Sequence, residues 1–140
     1  MIIDLRAKVP ESKHFCWWEL LSHPSWDCFV FPHNMKVYKN LLYTAKKMDL
    51  VRDFFVKPLL TTSVYRLPFY NRVIVKGALQ SPHPEGMAFD YVIEGMDCDE
   101  VRAALEPRLE QFNLRMERPP NPDEDDWVHN DWRPPGPTGR

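Results

Sequence analysis

The stretch SPHPEGMAFDYVI, residues 81–93, holds the side chains best suited to chemistry. His83 and Asp90 stand seven apart around Gly86, and another histidine, His129, follows in the segment WVHND. A catalytic zinc takes three protein ligands of nitrogen or oxygen type and keeps one position open, whereas a structural zinc prefers a closed shell, often of thiolates. Two imidazoles and a carboxylate fit the first pattern. For His83 and Asp90 to meet one ion the chain must fold back between them, and Gly86 permits the backbone conformation that such a return needs. The same residues also read as an ordinary turn leading into an ordinary strand, because this spacing with a later histidine recurs by chance. Cys16, Cys28 and Cys98 are odd in number and lack C-x-x-C spacing, which argues against a disulfide framework and against a thiolate zinc site. They are expected to be reduced, mostly buried thiols.

The elements that must position these residues can be read from periodicity. Residues 32–48, PHNMKVYKNLLYTAKKM, place Tyr38, Leu41, Leu42, Ala45 and Met48 at spacings of three and four. That predicts a helix with one buried face, continuing through Val51, Phe54 and Phe55 until Pro58 stops it. LLTTSVY, residues 59–65, is rich in β-branched residues and reads as a strand. AFDYVIE reads as another, with Ala88, Asp90 and Val92 on one face and Phe89, Tyr91 and Ile93 on the other. Asp97 and Glu100 form a capping-box signal for a helix from about Cys98. Its expected apolar face is Val101, Ala104, Leu105, Leu109 and Phe112, and Pro107 should kink or divide it. NLRME is a short strand, RPPNPDEDD a proline-rich acidic loop, and WVHNDW a last strand in which Trp127, His129 and Asp131 share a face.

The chain has 140 residues, long enough for one compact core that buries roughly two-thirds of the unfolded surface. Residues 1–133 are expected to form a single domain, followed by a Pro/Gly-rich tail, residues 134–140. That tail has no apolar side chain to bury, so a partner surface would be needed to order it. No internal repeat is visible. Apolar residues at 44% and charged residues at 27% are ordinary globular usage. A net charge of -2 offers no basic footprint, so no nucleic-acid partner is expected. Asp4, Lys8, Glu11 and Lys13 interrupt the opening residues, and no run approaches the ~20 apolar residues of a membrane span. A soluble chain without an export signal or membrane insertion is therefore expected.

SPHPEGMAFD fits S-x-H-x-x-G-x-A-x-D. The longer passage TSVYRLPFYNRVIVKGALQSPHPEGMAFDYVI, with LRMERPPNPDEDDWVHND downstream and FCWWELLSH upstream, resembles the zinc D-alanyl-D-alanine carboxypeptidase family. These are bacterial and phage cell-wall peptidases that share a fold with the hedgehog signalling domain. The likeness runs from Phe15 to about Pro134, and the S-x-H-x-x-G-x-A-x-D element is its specific part. It implies an α+β fold with a small antiparallel sheet packed against helices, and zinc held by His83, Asp90 and His129, the last in a V-H-x-D motif. Arg66, in SVYR, matches an arginine that such enzymes direct at the scissile carbonyl or substrate carboxylate, where a fixed guanidinium would stabilise an oxyanion. Its alternative is a surface arginine at a strand end with no task. Ser81 and Asn71 are expected either to orient ligands and substrate loop or simply to cap turns.

Many relatives place an acidic residue three before the last histidine. That position is Asp126, which is favoured as general base, with Asp125 and Glu124 beside it and Asp131 as the other choice. Such a carboxylate would take a proton from water that the metal acidifies towards pKa ~7 and return it to the leaving amine; otherwise the acidic run is only a solvated loop. Pro82 and Pro84, flanking His83, depart from the usual pattern and would either preset or spoil the ligand geometry. His14, His23 and His33 read as surface or core-edge residues, and the tryptophans as core packing more than as a substrate groove. The function implied is a zinc peptidase acting on peptidoglycan stem peptides, as a D-alanine carboxypeptidase or an endopeptidase. A missing export signal would suit a phage product acting after delivery from host cytoplasm or virion. The alternative is a peptidase fold kept as a virion structural or assembly component, with the tail docked on a partner.

Overall fold

In the computed structural model, residues 2–23, 28–67, 82–117 and 127–134 are described. The element order is α1 (Trp17–Leu21), β1 (Ser22–His23), β2 (Cys28–Phe29), α2 (Met35–Phe55), β3 (Leu59–Ser63), a 3-10 turn (His83–Glu85), β4 (Ala88–Ile93), α3 (Cys98–Leu105), a second 3-10 turn (Glu106–Arg108), α4 (Leu109–Phe112), β5 (Arg115–Glu117) and β6 (Val128–Asp131). This is the α+β arrangement expected, with a small antiparallel sheet packed against helices.

Local chemistry accounts for most element ends. Asn34 opens α2 by accepting the Val37 N–H on its side-chain oxygen at 2.8 Å. The helix runs to Phe55, as its apolar spacing predicts, but Pro58 is not what ends it. Val56 turns into the left-handed region at φ 55°, its N–H still bonded to the Arg52 carbonyl, and Pro58 lies beyond. In α1, Glu19 accepts the Cys16 N–H at 2.8 Å, so the glutamate of the FCWWEL segment closes a helix cap. Glu100 likewise accepts the Asp97 N–H at 3.3 Å at the start of α3, and Pro107 divides the predicted helix into α3 and α4.

Two expectations are corrected at this level. Ala104 is exposed, and Arg102 occupies the buried face instead, because its guanidinium donates to the Trp127 carbonyl at 2.8 Å and pairs with Asp99 at 3.1 Å. The three cysteines form no disulfide and are half-buried rather than buried; Cys16 caps α1 and Cys98 begins α3, both at element ends.

The four-stranded sheet has the order β3-β4-β6-β5, antiparallel throughout. Phe89, Tyr91 and Ile93 of β4 join Val128 and Met116 in the main apolar cluster, with the Phe89 and Tyr91 rings stacked at 5.2 Å. Helix α3 packs on β4 and β6, and α2 packs on β3, β4 and the turn before β4. Among the tryptophans, Trp17 is buried in the core, whereas Trp18 and Trp127 are about half exposed, at 48% and 45%. No helix among the described residues is long and apolar enough to cross a membrane.

Candidate metal centre

The turn that carries His83 is gripped by α2. The Asn40 amide donates to the Glu85 carbonyl at 2.9 Å and the Thr44 hydroxyl to the Gly86 carbonyl at 2.6 Å. Gly86 itself has φ +74°, and a Cβ there would stand 3.0 Å from Leu41 Cγ and 3.2 Å from the Val37 carbonyl. Both backbone conformation and space therefore require glycine. Pro82 lies at φ -76° and ψ -11°, and a proline occupies the first positions of the 3-10 turn, where its fixed φ and missing donor cost nothing. The flanking prolines are thus compatible with the turn that presents His83.

Strand register supplies the other two residues. Asp90 pairs with His129 across β4 and β6, Glu117 of β5 lies opposite His129, and Ser63 of β3 lies opposite Asp90. A register shift between Thr61 and Ser63 inserts one extra residue in β3 and brings Ser63 into that row. Two residues along on the same face, Ala88, Asp131 and Arg115 form a parallel row. One face of a mostly apolar sheet therefore carries Asp90, His129 and Asp131 side by side, each nearly inaccessible.

The structure brings His83, Asp90 and His129 together: one ligand atom from each lies within 4.8 Å of the others. His83 Nδ1 stands 2.7 Å from the Val64 carbonyl, an oxygen that can only accept, so Nδ1 holds the proton and Nε2 presents its lone pair. That nitrogen faces Asp90 Oδ2 at 3.2 Å. Burial drives the His83 ring toward its neutral form, against the pull of the Asp90 charge. Acceptor then faces acceptor, a conflict that a shared cation removes. Asp90 Oδ1 lies 2.7 Å from His129 Nδ1, and His129 Nε2 lies 2.9 Å from Asp131 Oδ2. Burial opposes charge on His129 too, but the hydrogen bonds to Asp131 and Asp90 outweigh it and raise the ring to about 9. For Asp90, burial pushes the carboxyl up, yet the two imidazoles outweigh it and hold it well below the usual range. Two imidazole nitrogens and a carboxylate oxygen are the donor set of a catalytic zinc with one open position, and the residues present fit that ion.

Arg66 is buried rather than a surface strand-end residue. Its Nε donates to Ser63 Oγ at 3.1 Å and its terminal nitrogen to Asp90 Oδ2 at 3.2 Å, which ties the guanidinium to the same carboxylate. Asp131 lies on the far side of His129, away from Asp90. Asn71, Ser81, Glu124, Asp125 and Asp126 fall outside the described residues, as do residues 135–140.

The other histidines divide. His14 sits on Asp53 at 2.7 Å and His33 on the Tyr65 hydroxyl at 2.6 Å, both toward the surface. His23 corrects its expectation, being buried with Nδ1 3.2 Å from the Leu21 carbonyl; burial pushes its ring down, the Leu21 bond opposes this, and the Arg66 charge adds to the fall. Sequence reading passed over Arg115, Asn40, Thr44 and the Val64 carbonyl. Arg115 had a signal, since the alternation in NLRME pairs it with the same strand face as Glu117.

The family described as Peptidase M15 matches residues 25–131. No curated protein and no solved structure matches the chain.

Proposed function

This chain belongs to the peptidase M15 family, the zinc D-alanyl-D-alanine carboxypeptidase-like peptidases, and from that premise we propose that it hydrolyses peptide bonds in peptidoglycan stem peptides. It would act as a D-alanine carboxypeptidase or as an endopeptidase on a cross-link, as a phage-encoded product. Membership implies a zinc-dependent peptidase. The observation that carries the reading to this chain is the convergence of His83, Asp90 and His129 within 4.8 Å.

The chemistry that zinc supplies in such a site is Lewis acidity, which polarises a carbonyl and acidifies water. His83, Asp90 and His129 would hold the ion. Arg66 offers a fixed positive charge beside the ligand carboxylate, suited to a substrate oxygen as it gains negative charge. Its engagement with Ser63 and Asp90 supports this role, because a pre-positioned guanidinium needs little reordering during reaction. Asp126 is the proposed base, taking a proton from the attacking water and returning it to the leaving amine. Ser81 and Asn71 are proposed to shape the substrate side of the site.

Purified protein should contain about one zinc per chain and release D-alanine or peptides from cell-wall fragments, with His83→Ala abolishing both. Wild-type protein that takes up no zinc, cleaves no wall peptide and assembles into particles would select the virion structural reading instead.

A further inference from the structure

We infer that Asp131 is a positioning residue, not the base: its carboxylate, backed by Arg115 and Arg133, fixes His129 with Nδ1 turned toward Asp90 and the metal site. This inference rests on the zinc-peptidase reading and deepens it. Asp131 is buried, and both of its oxygens are engaged. Oδ2 lies 2.9 Å from His129 Nε2, while Oδ1 accepts the Arg133 N–H at 3.3 Å and lies 3.6 Å from Arg133 Nε and 3.9 Å from Arg115 Nε.

The sheet enforces the arrangement. His129 and Asp131 are two apart on β6 and so share a face, Arg115 of β5 is directly opposite Asp131, and Ala88 of β4 flanks it on the other side with only a methyl group. An imidazole has its two nitrogens on different edges of the ring. A carboxylate at Nε2 keeps the proton there and leaves the Nδ1 lone pair for a metal, the usual device by which an outer carboxylate sets a ligand histidine. Water attacking a carbonyl at the metal would stand on the Nδ1 side, whereas Asp131 reaches the Nε2 side. Glu117 cannot replace it: its Oε2 is 3.9 Å from Nε2, beyond hydrogen-bonding distance, and its side chain is 70% exposed.

The test is Asp131→Asn, near-isosteric, with zinc affinity measured by chelator competition beside the pH dependence of kcat/KM. Zinc affinity should fall about 10–100-fold, and the acidic limb of the pH profile should remain, because the base is elsewhere. Unchanged zinc affinity with loss of turnover and of that limb would make Asp131 the base and overturn the inference. A second measurement needs no variant: in wild-type protein loaded with NMR-active cadmium and nitrogen-labelled histidine, coupling should appear on His129 Nδ1, with Nε2 protonated. Coupling on Nε2 would refute the assignment. A wild type that binds neither metal overturns the zinc reading itself, and the two failures are thereby told apart.

Discussion

Arg66 is the residue whose surroundings say most about mechanism. Its guanidinium is held by Ser63 and Asp90 in a geometry that a lysine ammonium, with no planar fork, does not reproduce. Arg66→Lys should therefore keep zinc uptake but lower kcat/KM by about 10²–10³-fold, the usual loss when one oxyanion donor goes; steady-state kinetics beside metal analysis checks this. Gly86 gives a complementary test of position without chemistry. Gly86→Ala forces a side chain into φ +74° and against Leu41 and the Val37 carbonyl, so unfolding in urea should reveal a loss of about 2 kcal/mol or more. At this scale residue type offered His83, Asp90 and His129 as candidate ligands, and the family resemblance, not their spacing, singled them out. Neither gave any sign that His83 Nδ1 is taken by the Val64 carbonyl, a backbone atom supplied from 19 residues away.

Elements explain why His83, Asp90 and His129 meet. Helix α2 was legible from its apolar spacing and α3 from its capping pair, and both sit where those signals place them. What periodicity missed are features that depend on a neighbour: the inserted residue in β3 that aligns Ser63 with Asp90, and the Arg102 side chain that replaces Ala104 on the buried face of α3. The end of α2 is a further case. Val56, 79% exposed, adopts the left-handed region, where a β-branched side chain is strained. Val56→Gly should relieve that strain and raise stability by about 0.5–1 kcal/mol, net of the greater freedom of glycine in the unfolded chain; a higher urea midpoint with unchanged slope would register it. The site should be indifferent to this change, because Val56 lies past the C-terminal end of α2, whereas the residues that hold the His83 turn lie in its N-terminal half.

At the scale of the molecule, distant described segments are pinned by polar contacts at least partly shielded from water. Asp49 on α2 accepts the Lys13 N–H at 2.8 Å, the His14 N–H at 3.0 Å and the Ser12 hydroxyl at 3.2 Å, and so anchors the N-terminal segment. Asp49→Ala would leave those donors without their acceptor and should cost about 2–4 kcal/mol in denaturant unfolding. The cluster of His83, Asp90 and His129 is a second pin, joining the turn before β4 to β6. Free zinc at 100 times its Kd should stabilise the fold by about 2.7 kcal/mol; a chelator should lower the thermal midpoint accordingly, and His83→Ala should remove the difference between the two conditions.

The amino-acid sequence alone determined the period of each main element, the capping pair of α3, and the one short motif that marks the family, because those signals are local. Tertiary structure alone decided which nitrogen of each histidine faces Asp90 and that Arg66 grips that carboxylate. These follow from strand register and from side chains meeting across 19 to 39 residues of intervening chain. No local preference encodes a partner that arrives only when the sheet closes.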